Sequence, residues 1–254
     1  MNPEETEGAV AVVILAAGKG TRMNSDKAKV LHPVAGRPML LYVVDAATRI
    51  AGKEVVVVVG TQAETVRRLV AAHANVGFAD QDRQLGTGHA AMCAMPALAD
   101  HVRHVVFLCG DVPLITPDTL QRLIDTHVGQ KLDVTILGAQ LENPAGYGRL
   151  KQKSDGTVAS IVEEADASEA ERAINTVNTG IYCVARDFLE DALTRIRTDN
   201  AQAEMYLTDI VGIAAGDGKR VGLMLCADQN EMHGINSPAD LERVEAIIHR
   251  NEKP

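Results

Sequence analysis

The chain has 254 residues, of which 46% are apolar and 23% charged, and its formal net charge is −9. This length is enough for one α/β domain with a buried core. The acidic balance disfavours a protein that binds the phosphate backbone of nucleic acids, and the 3% aromatic content disfavours a platform that stacks single-stranded bases. An acidic protein can still bind a small anion through a local cluster of cations, backbone N–H groups or metal.

The cysteines and the termini indicate the compartment. The four cysteines show no CxxC spacing, which predicts reduced thiols rather than disulfides or a zinc site. The longest apolar run, 9–17, is too short to cross a bilayer, and residues 1–8 are acidic and polar, unlike a signal peptide. We therefore expect a cytoplasmic protein.

The first half of the chain alternates apolar runs with amphipathic segments. Continuous apolar runs predict strands covered on both faces, and the segments between them carry apolar residues at helical spacing. This alternation predicts an α/β fold with a doubly wound sheet. The expected strands are 10–15, 54–59, 76–79, 105–109 and 134–138, and the expected helices are 38–50, 62–72, 89–95 and 117–127.

The pattern changes after about residue 141. Segments 148–153 and 157–164 flank a Ser-Asp-Gly turn and predict a hairpin. No linker rich in Pro, Gly or Ser separates the two halves, so we expect one domain with a small inserted antiparallel lobe. Further strands are expected at 178–185 and 219–226, and a closing helix at 238–249.

The loop after the first predicted strand has the sequence LAAGKGTRM, from Leu15 to Met23. It lacks the third glycine of a dinucleotide fingerprint and the GxxxxGK[ST] pattern of a P-loop. Its glycines allow a tight turn whose N–H groups face one anion, and Arg22 and Lys29 add positive charge. Taken alone, the segment is equally typical of a glycine-rich turn with solvated basic residues.

Eight motifs, in order, resemble those of the sugar nucleotidyltransferases. LAAGKGTRM followed by KVLHPVAGRPML is most similar to the uridylyltransferase half of the bacterial N-acetylglucosamine-1-phosphate uridylyltransferases, and the resemblance continues along nearly the whole chain. The further motifs are QLGTGHA at 84–90, GDVPL at 110–114, GYGR at 146–149, IVEE at 161–164, NTG at 178–180, YLTD at 206–209 and GIN at 234–236.

The resemblance implies a Rossmann-like doubly wound mixed sheet of the nucleotide-diphospho-sugar transferase type, with a small antiparallel sugar-binding lobe. In a single domain over 1–254, residues 9–140 would bind the nucleotide, 141–235 would mainly bind the sugar, and 236–254 would form the closing helix. The implied reaction forms UDP-N-acetylglucosamine, a cell-wall precursor, and pyrophosphate from UTP and N-acetylglucosamine 1-phosphate.

This reaction needs charge neutralisation and alignment rather than a general base. The second pKa of the attacking phosphate is roughly 6, so it is largely dianionic at neutral pH. The resemblance implies that Asp111 and Asn236 hold Mg²⁺, and that Arg22 and Lys29 stabilise charge on the departing pyrophosphate. Without the resemblance, Asp111 and Asn236 would be ordinary turn or cap residues. The proline that usually precedes the lysine is Ala28 here, which should loosen this loop.

The resemblance also implies the substrate contacts. The primary amide of Gln81 can match the acceptor–donor edge of uracil and is preferred to Gln84 for this role. Glu163 and its neighbour Glu164 are chemically alike, and Ala165 replaces a basic residue common at that point in the family, so the sugar is less firmly indicated than the nucleotide. The implied nucleotide contacts are Leu15, Ala16, Ala17, Gly18, Gln81, Gln84, Gly86, Thr87 and Gly110, and the implied sugar contacts are Gly148, Glu163, Asn178, Tyr206 and Thr208.

Two alternatives stay open. One is a nucleotidyltransferase for another sugar 1-phosphate or another triphosphate, and the other is a non-catalytic protein that binds sugar nucleotides. The joint presence of the four implied metal and leaving-group residues argues against the second. We find no hexapeptide repeats of the left-handed β-helix that family members usually carry at their C-terminus. We expect a monomer or weak dimer that binds UTP and a sugar 1-phosphate, but neither nucleic acid nor a membrane.

Overall fold

A computed structural model of the protein describes residues 10–23 and 25–251. Within these residues, nine strands form a central sheet, and two short strands, Pro33–Val34 and Arg37–Pro38, form a separate ribbon. The strands are β1 (Val10–Leu15), β2 (Pro33–Val34), β3 (Arg37–Pro38), β4 (Val55–Val59), β5 (Gly77–Asp80), β6 (His104–Cys109), β7 (Val134–Gln140), β8 (Gly148–Gln152), β9 (Val158–Val162), β10 (Thr176–Ala185) and β11 (Val221–Leu225).

The central sheet is mixed, which confirms the predicted fold class. Strand β1 lies between β4 and β6 and runs parallel to both, and β5 lies parallel to β4. Strand β10 pairs antiparallel with β6 and β7, and β11 lies parallel to β7 at the far edge. The order across the sheet is β5-β4-β1-β6-β10-β7-β11.

Helices cover both faces of this sheet. Alternate residues of β1 point to opposite sides, so that Val12 and Ile14 pack in one core and Ala11 and Val13 in the other. The two cores explain why the strand runs are continuously apolar. The helices are α1 (Met39–Ala51), α2 (Ala63–Ala71), α3 (Thr87–Ala94), α4 (Pro117–Gly129), α5 (Glu169–Arg172), α6 (Arg186–Arg195), α7 (Asp209–Gly216) and α8 (Pro238–Asn251).

The second half of the chain contains the predicted hairpin and two further strands. Strands β8 and β9 form the expected hairpin, which branches from the first half of β10. Strands β10 and β11 lie on the main path of the central sheet. The physical reason is visible in β10: most of its residues are buried, as is required of a strand covered on both faces. Helices α5, α6 and α7 were not predicted.

The structure also shows the state of the cysteines and the length and polarity of the helices. All four cysteines are free thiols, as their spacing predicted. Over the described ranges, every helix is too short or too polar to span a bilayer.

Candidate functional site

The site lies where β1 and β6 end side by side. Leu15 and Cys109, the last residues of the two strands, are partners in the parallel ladder. The N–H of Gly110 then donates to the Leu15 carbonyl at 3.0 Å, so the two following loops start from one point. This is the carboxyl edge at which open α/β sheets bind ligands. The glycine-rich loop and Asp111 therefore share one end of the sheet.

Four polar side chains from three distant segments converge at this edge. The Lys29 ammonium forms an ion pair with the Asp111 carboxylate and also donates to Asn236 Oδ1 at 3.0 Å. Arg22 Nη2 donates to the same amide oxygen at 2.9 Å. The loop of Asn236 is held in place because the N–H of Ile235 donates to the Asp111 carbonyl at 2.9 Å. The structure thus brings together all four residues predicted for the metal and the leaving group.

The donor set of this cluster fits a divalent metal. The Asp111 carboxylate and the Asn236 amide oxygen already converge on a cation, the Lys29 ammonium. Both are hard oxygen ligands, and Mg²⁺ commonly takes only one or two from the protein and the rest from phosphate and water. Among the described residues, no group of three or more His, Cys, Asp or Glu side chains could form a full protein cage. A metal here would complete its coordination with oxygens of phosphate or water.

Two cavities meet at this cluster, and Cys109 and Asp111 line both of them. The first has a volume of about 240 Å³ and is bordered by the glycine-rich loop and the start of α3. The second has a volume of about 280 Å³ and is bordered by Arg22, Tyr147 and Asn236. A ligand that extends from one cavity into the other would pass Asp111. The predicted nucleotide residues on the first cavity are Leu15, Ala16, Ala17, Gly18, Gly86 and Thr87.

Gly86 and Thr87 also hold the loop against a segment from the second half of the chain. Gly86 has φ of +110°, and a Cβ there would lie 2.5 Å from the Met205 carbonyl oxygen, so only glycine fits. The N–H of Gly88 donates to that carbonyl at 2.7 Å, and the N–H of Leu207 donates to the Thr87 hydroxyl at 3.0 Å. These contacts join the loop before α3 to the segment that carries Tyr206 and Thr208.

The two glutamines predicted for the base shape the same loop. Gln81 is buried, and its amide nitrogen donates to the Gly86 carbonyl at 2.9 Å while lying 3.2 Å from His89 Nδ1. The amide nitrogen of Gln84 donates to the Gln81 carbonyl at 3.2 Å. The Gln81 side-chain nitrogen is thus committed to the loop, whereas no hydrogen bond within the described residues engages the side-chain oxygen Oε1.

The predicted sugar residues lie close to one another. A Cβ at Gly148 would lie 3.2 Å from Glu163 Oε2 and 3.5 Å from the Asn178 side chain, so the missing side chain leaves space for both. Burial raises the pKa of Glu163, although a hydrogen bond with the Thr208 side chain partly opposes this. Tyr206 lies nearby, and burial together with the neighbouring carboxylates raises its pKa to about 12.

Glu163 and Glu164, which the sequence could not separate, have different environments. Glu164 pairs with Arg149 Nη2 at 2.8 Å and accepts the N–H of Gly146 at 3.1 Å. The hydrogen bond with Arg149 is the main reason that the pKa of Glu164 is lowered. Arg149 is buried and also donates to the Tyr147 carbonyl. Both residues follow the strand that ends at Val162, so the alternation of side chains along a strand does not apply to them, and no signal in the residue types separates the two.

Several residues that border the cavities were not predicted, among them Tyr147, Glu204 and Cys109. Tyr147 lines the larger cavity, Glu204 lines the smaller one, and Cys109 lines both. Tyr147 lies inside a motif, Cys109 directly precedes one and Glu204 lies two positions before one, but nothing in the residue types pointed to the cavities. Burial raises the pKa of the Cys109 thiol to about 12, with a smaller contribution from Asp111. This thiol is therefore neutral at physiological pH.

Comparison with known proteins places the chain in a family. Residues 12–200 match the model of the MobA-like NTP transferase domain. The chain is 50% identical over 234 residues to the bifunctional protein GlmU of Geobacter metallireducens, which covers 92% of this chain and 49% of that protein. It is 43% identical over 235 residues to the bifunctional protein GlmU of Desulfotalea psychrophila, covering 92% of this chain and 69% of that protein. The chain spans about half the length of the first of these relatives.

Solved structures share the fold at low sequence identity. A UDP-glucose pyrophosphorylase complexed with UDP-glucose superposes with a TM-score of 0.78 at 15% identity, covering 96% of this chain and 100% of that one. A structure described as a glucose-1-phosphate thymidylyltransferase from Bacillus anthracis superposes with a TM-score of 0.76 at 18% identity, covering 94% and 95%. Nucleotidyltransferases of this family generally use a divalent metal.

Proposed function

Because the chain belongs to the MobA-like NTP transferase family, we propose that it is a uridylyltransferase that forms UDP-N-acetylglucosamine and pyrophosphate from UTP and N-acetylglucosamine 1-phosphate. The observation that carries this proposal is the convergence of Arg22, Lys29, Asp111 and Asn236 where two cavities meet. In this reaction one anionic substrate attacks a phosphorus atom of the other. The two substrates therefore need adjoining spaces and positively charged groups where they meet.

The reaction requires one bond to form and one to break at the α-phosphorus. An oxygen of the sugar phosphate attacks that phosphorus, and the bond to the pyrophosphate oxygen breaks with its electron pair leaving on pyrophosphate. Asp111 and Asn236 would hold Mg²⁺, which neutralises phosphate charge when bound. The Lys29 ammonium and Arg22 guanidinium would stabilise the negative charge that develops on the leaving group.

The acceptor is positioned by groups on the other side of Asp111. The Glu163 carboxylate can accept hydrogen bonds from sugar hydroxyls, and the Asn178 amide can match the acetamido group. The absence of a side chain at Gly148 leaves room beside both of them. The Thr208 side chain forms a hydrogen bond with Glu163, and Tyr206 lies near the Glu163 carboxylate, so both residues are next to this space. The proposed nucleotide half is 9–140, the proposed sugar part is mainly 141–235, and 236–254 would close the domain; residues 1–9, 24 and 252–254 of this division lie outside the described residues.

The setting of the reaction is also part of the proposal. Both substrates are soluble metabolites, so we propose a cytoplasmic enzyme that acts as a monomer or weak dimer and needs neither nucleic acid nor a membrane. The first cavity would take the uridine of UTP, with Gly110 beside the strand end and the loops of Gln81 and Gln84 shaping the base pocket. The larger cavity would take the phosphate end of the acceptor.

A substrate panel tests this function. UTP, CTP, TTP and ATP are each paired with the 1-phosphates of N-acetylglucosamine, glucose and galactose in the presence of Mg²⁺, and released pyrophosphate is measured. We expect the highest kcat/KM for UTP with N-acetylglucosamine 1-phosphate. A different preferred pair would establish the alternative nucleotidyltransferase. Binding of UDP-sugars without pyrophosphate formation for any pair would establish a non-catalytic protein.

A further inference from the structure

Gln62 has an unusual backbone conformation. It directly precedes α2 and lies in the left-handed region, with φ of 54° and ψ of 39°. Residues with a side chain rarely occupy this region, and glycine or asparagine would do so at lower cost. Such outliers concentrate where the side chain has a role that offsets the strain. The contacts of the Gln62 side chain indicate such a role.

Both ends of the Gln62 amide bind the backbone of a loop that is 34 residues distant in sequence. Its nitrogen donates to the Asp26 carbonyl at 2.7 Å, and its oxygen accepts the N–H of Ala28 at 3.1 Å. One rigid amide plane therefore spans 26–28 and holds two of its backbone groups at once. Asparagine, which is one methylene shorter, could not be expected to reach both groups, and glycine could reach neither.

The held loop leads directly into Lys29. Ala28 is buried, and its carbonyl accepts the N–H of Leu31 in the short 3₁₀ turn that starts at Lys29. Gly20 also packs against Lys29, so closely that a Cβ there would lie 2.5 Å from Lys29 Cβ. The backbone before Lys29 and the Lys29 Cβ are thus each held by a neighbouring segment. Its ammonium then reaches Asp111 and Asn236.

We propose that Gln62 is a positioning residue for Lys29, acting through a two-point clamp on 26–28. The inference rests on the proposed function for the role of Lys29, but the clamp itself does not. Ala28 has φ of −54°, which lies within the range that proline imposes. A proline at this position would preset the same backbone without its N–H. The two hydrogen bonds of Gln62 therefore constrain the backbone at Ala28, as a proline ring would do covalently.

This equivalence gives a rescue experiment with four proteins: wild type, Gln62→Met, Ala28→Pro and the double variant. Methionine keeps the length of the side chain but makes neither hydrogen bond. We expect Gln62→Met to lower kcat about tenfold, the effect of losing two neutral hydrogen bonds of ordinary net strength, with KM for the sugar phosphate unchanged. In the double variant we expect most of that loss to be recovered.

Hydrogen exchange of the ligand-free proteins gives a readout that does not depend on activity. Peptides that contain Ala28 and Leu31 should exchange faster in Gln62→Met than in wild type, and the Leu31 amide should be protected again in the double variant. Gln62→Gly relieves the backbone strain and should raise exchange without lowering the melting temperature. Gln152→Met is the matched control, because Gln152 makes one similar bond, to the Gly156 carbonyl at 3.0 Å in an exposed turn.

The outcomes separate this inference from the proposed function. Unchanged exchange at Leu31 in Gln62→Met, or equal losses in the double and single variants, would overturn the clamp. Faster exchange with a normal kcat would show a structural contact and overturn the positioning role. If Lys29→Ala has full activity while Gln62→Met exchanges faster, the role given to Lys29 fails and the positioning role fails with it, although the clamp stands.

Discussion

The two sides of the site hold their polar groups in different ways. Around Asp111, two cationic side chains, Lys29 and Arg22, meet one carboxylate and one amide oxygen within one cluster, so positive charge is in excess. Around Glu163, the carboxylate is buried with a hydroxyl partner and near other acidic groups, so its pKa is raised. The first side suits the handling of phosphate charge, whereas the second suits the recognition of a neutral, hydroxyl-rich ligand. Substitutions on the two sides should therefore affect different kinetic constants.

The largest effect is expected for Asp111→Asn. This isosteric change removes the negative charge that would attract a divalent metal and leaves the Lys29 ammonium with the two amide oxygens. Loss of a preorganised charge-stabilising group typically costs about 10²–10³ in rate. We expect that loss in kcat for pyrophosphate release, with a normal melting temperature, and Lys29→Ala should lose a similar amount. Near-wild-type turnover by either folded variant would remove the cluster from the mechanism.

A smaller and more selective effect is expected for Glu163→Gln. Hydrogen bonds to a charged group contribute about 1.5–3 kcal/mol, so kcat/KM for the sugar phosphate should fall roughly 10–100-fold while KM for UTP stays unchanged. Because the pKa of Glu163 is raised, wild-type affinity for the sugar phosphate should also weaken as the pH falls through that raised value, and the variant should lack this dependence. An equal increase in both KM values would contradict a role confined to the acceptor.

Remote from the site, a buried histidine pair predicts a pH effect on stability alone. His127 lies 2.8 Å from the Thr135 hydroxyl and 3.1 Å from His104, and burial lowers its pKa from 6.5 to about 4. The unfolded chain binds the proton first as the pH falls, so stability is lost between about pH 6.5 and pH 4. Urea unfolding should show about 2 kcal/mol less stability at pH 5 than at pH 7 from this group.

His127→Gln is the control for this effect, because it keeps a polar side chain but removes the titrating ring. The difference in unfolding free energy between pH 7 and pH 5 should shrink in this variant, while carboxylate contributions common to both proteins cancel. An unchanged pH dependence would show that His127 is not the responsible group. Pyrophosphate release at pH 7 should be unaffected, since the pair lies at the opposite end of β6 from Asp111.

The smallest effect is expected for Glu164→Gln, next to the proposed acceptor carboxylate. This change weakens an ion pair with the buried Arg149 and the contact with the Gly146 N–H. We expect a melting temperature lower by about 2–4 °C, the shift that roughly 1 kcal/mol gives in a domain of this size, with little change in kcat. A catalytic loss as large as that of Glu163→Gln would show that the two glutamates are not functionally separate.

Sequence patterns predicted the parts of this structure that depend on local periodicity. The strands that carry Leu15 and Cys109, the hairpin before Glu163 and the first four helices all follow from runs and turns that a short window contains. The resemblance added the long-range part, because Asp111 and Asn236 are 125 positions apart and no periodicity relates them. The placement of β10 inside the main sheet was not predictable, since a buried strand carries no mark of its partners.

Contacts of individual side chains were harder to predict from the sequence than the strands, the helices or the fold. The sequence gives no reason for the Gln62 amide to bind 26–28, because that contact depends on a left-handed backbone at Gln62 and on loop packing. Likewise, we expected a looser loop at Ala28 because the proline ring is missing. That expectation left out the N–H of alanine, which donates to the Gln62 side chain. Contacts between loops arise from the tertiary fold, and residue types alone do not specify them.

An isotope experiment tests the central claim, which is direct transfer at the α-phosphorus. N-acetylglucosamine 1-phosphate labelled with ¹⁸O in its non-bridging phosphate oxygens is incubated with UTP, Mg²⁺ and the protein, and the products are analysed by mass spectrometry. We predict UDP-N-acetylglucosamine that retains all of the label, including the oxygen between the two phosphorus atoms, together with unlabelled pyrophosphate. Label in pyrophosphate, or no sugar nucleotide at all, would contradict the account.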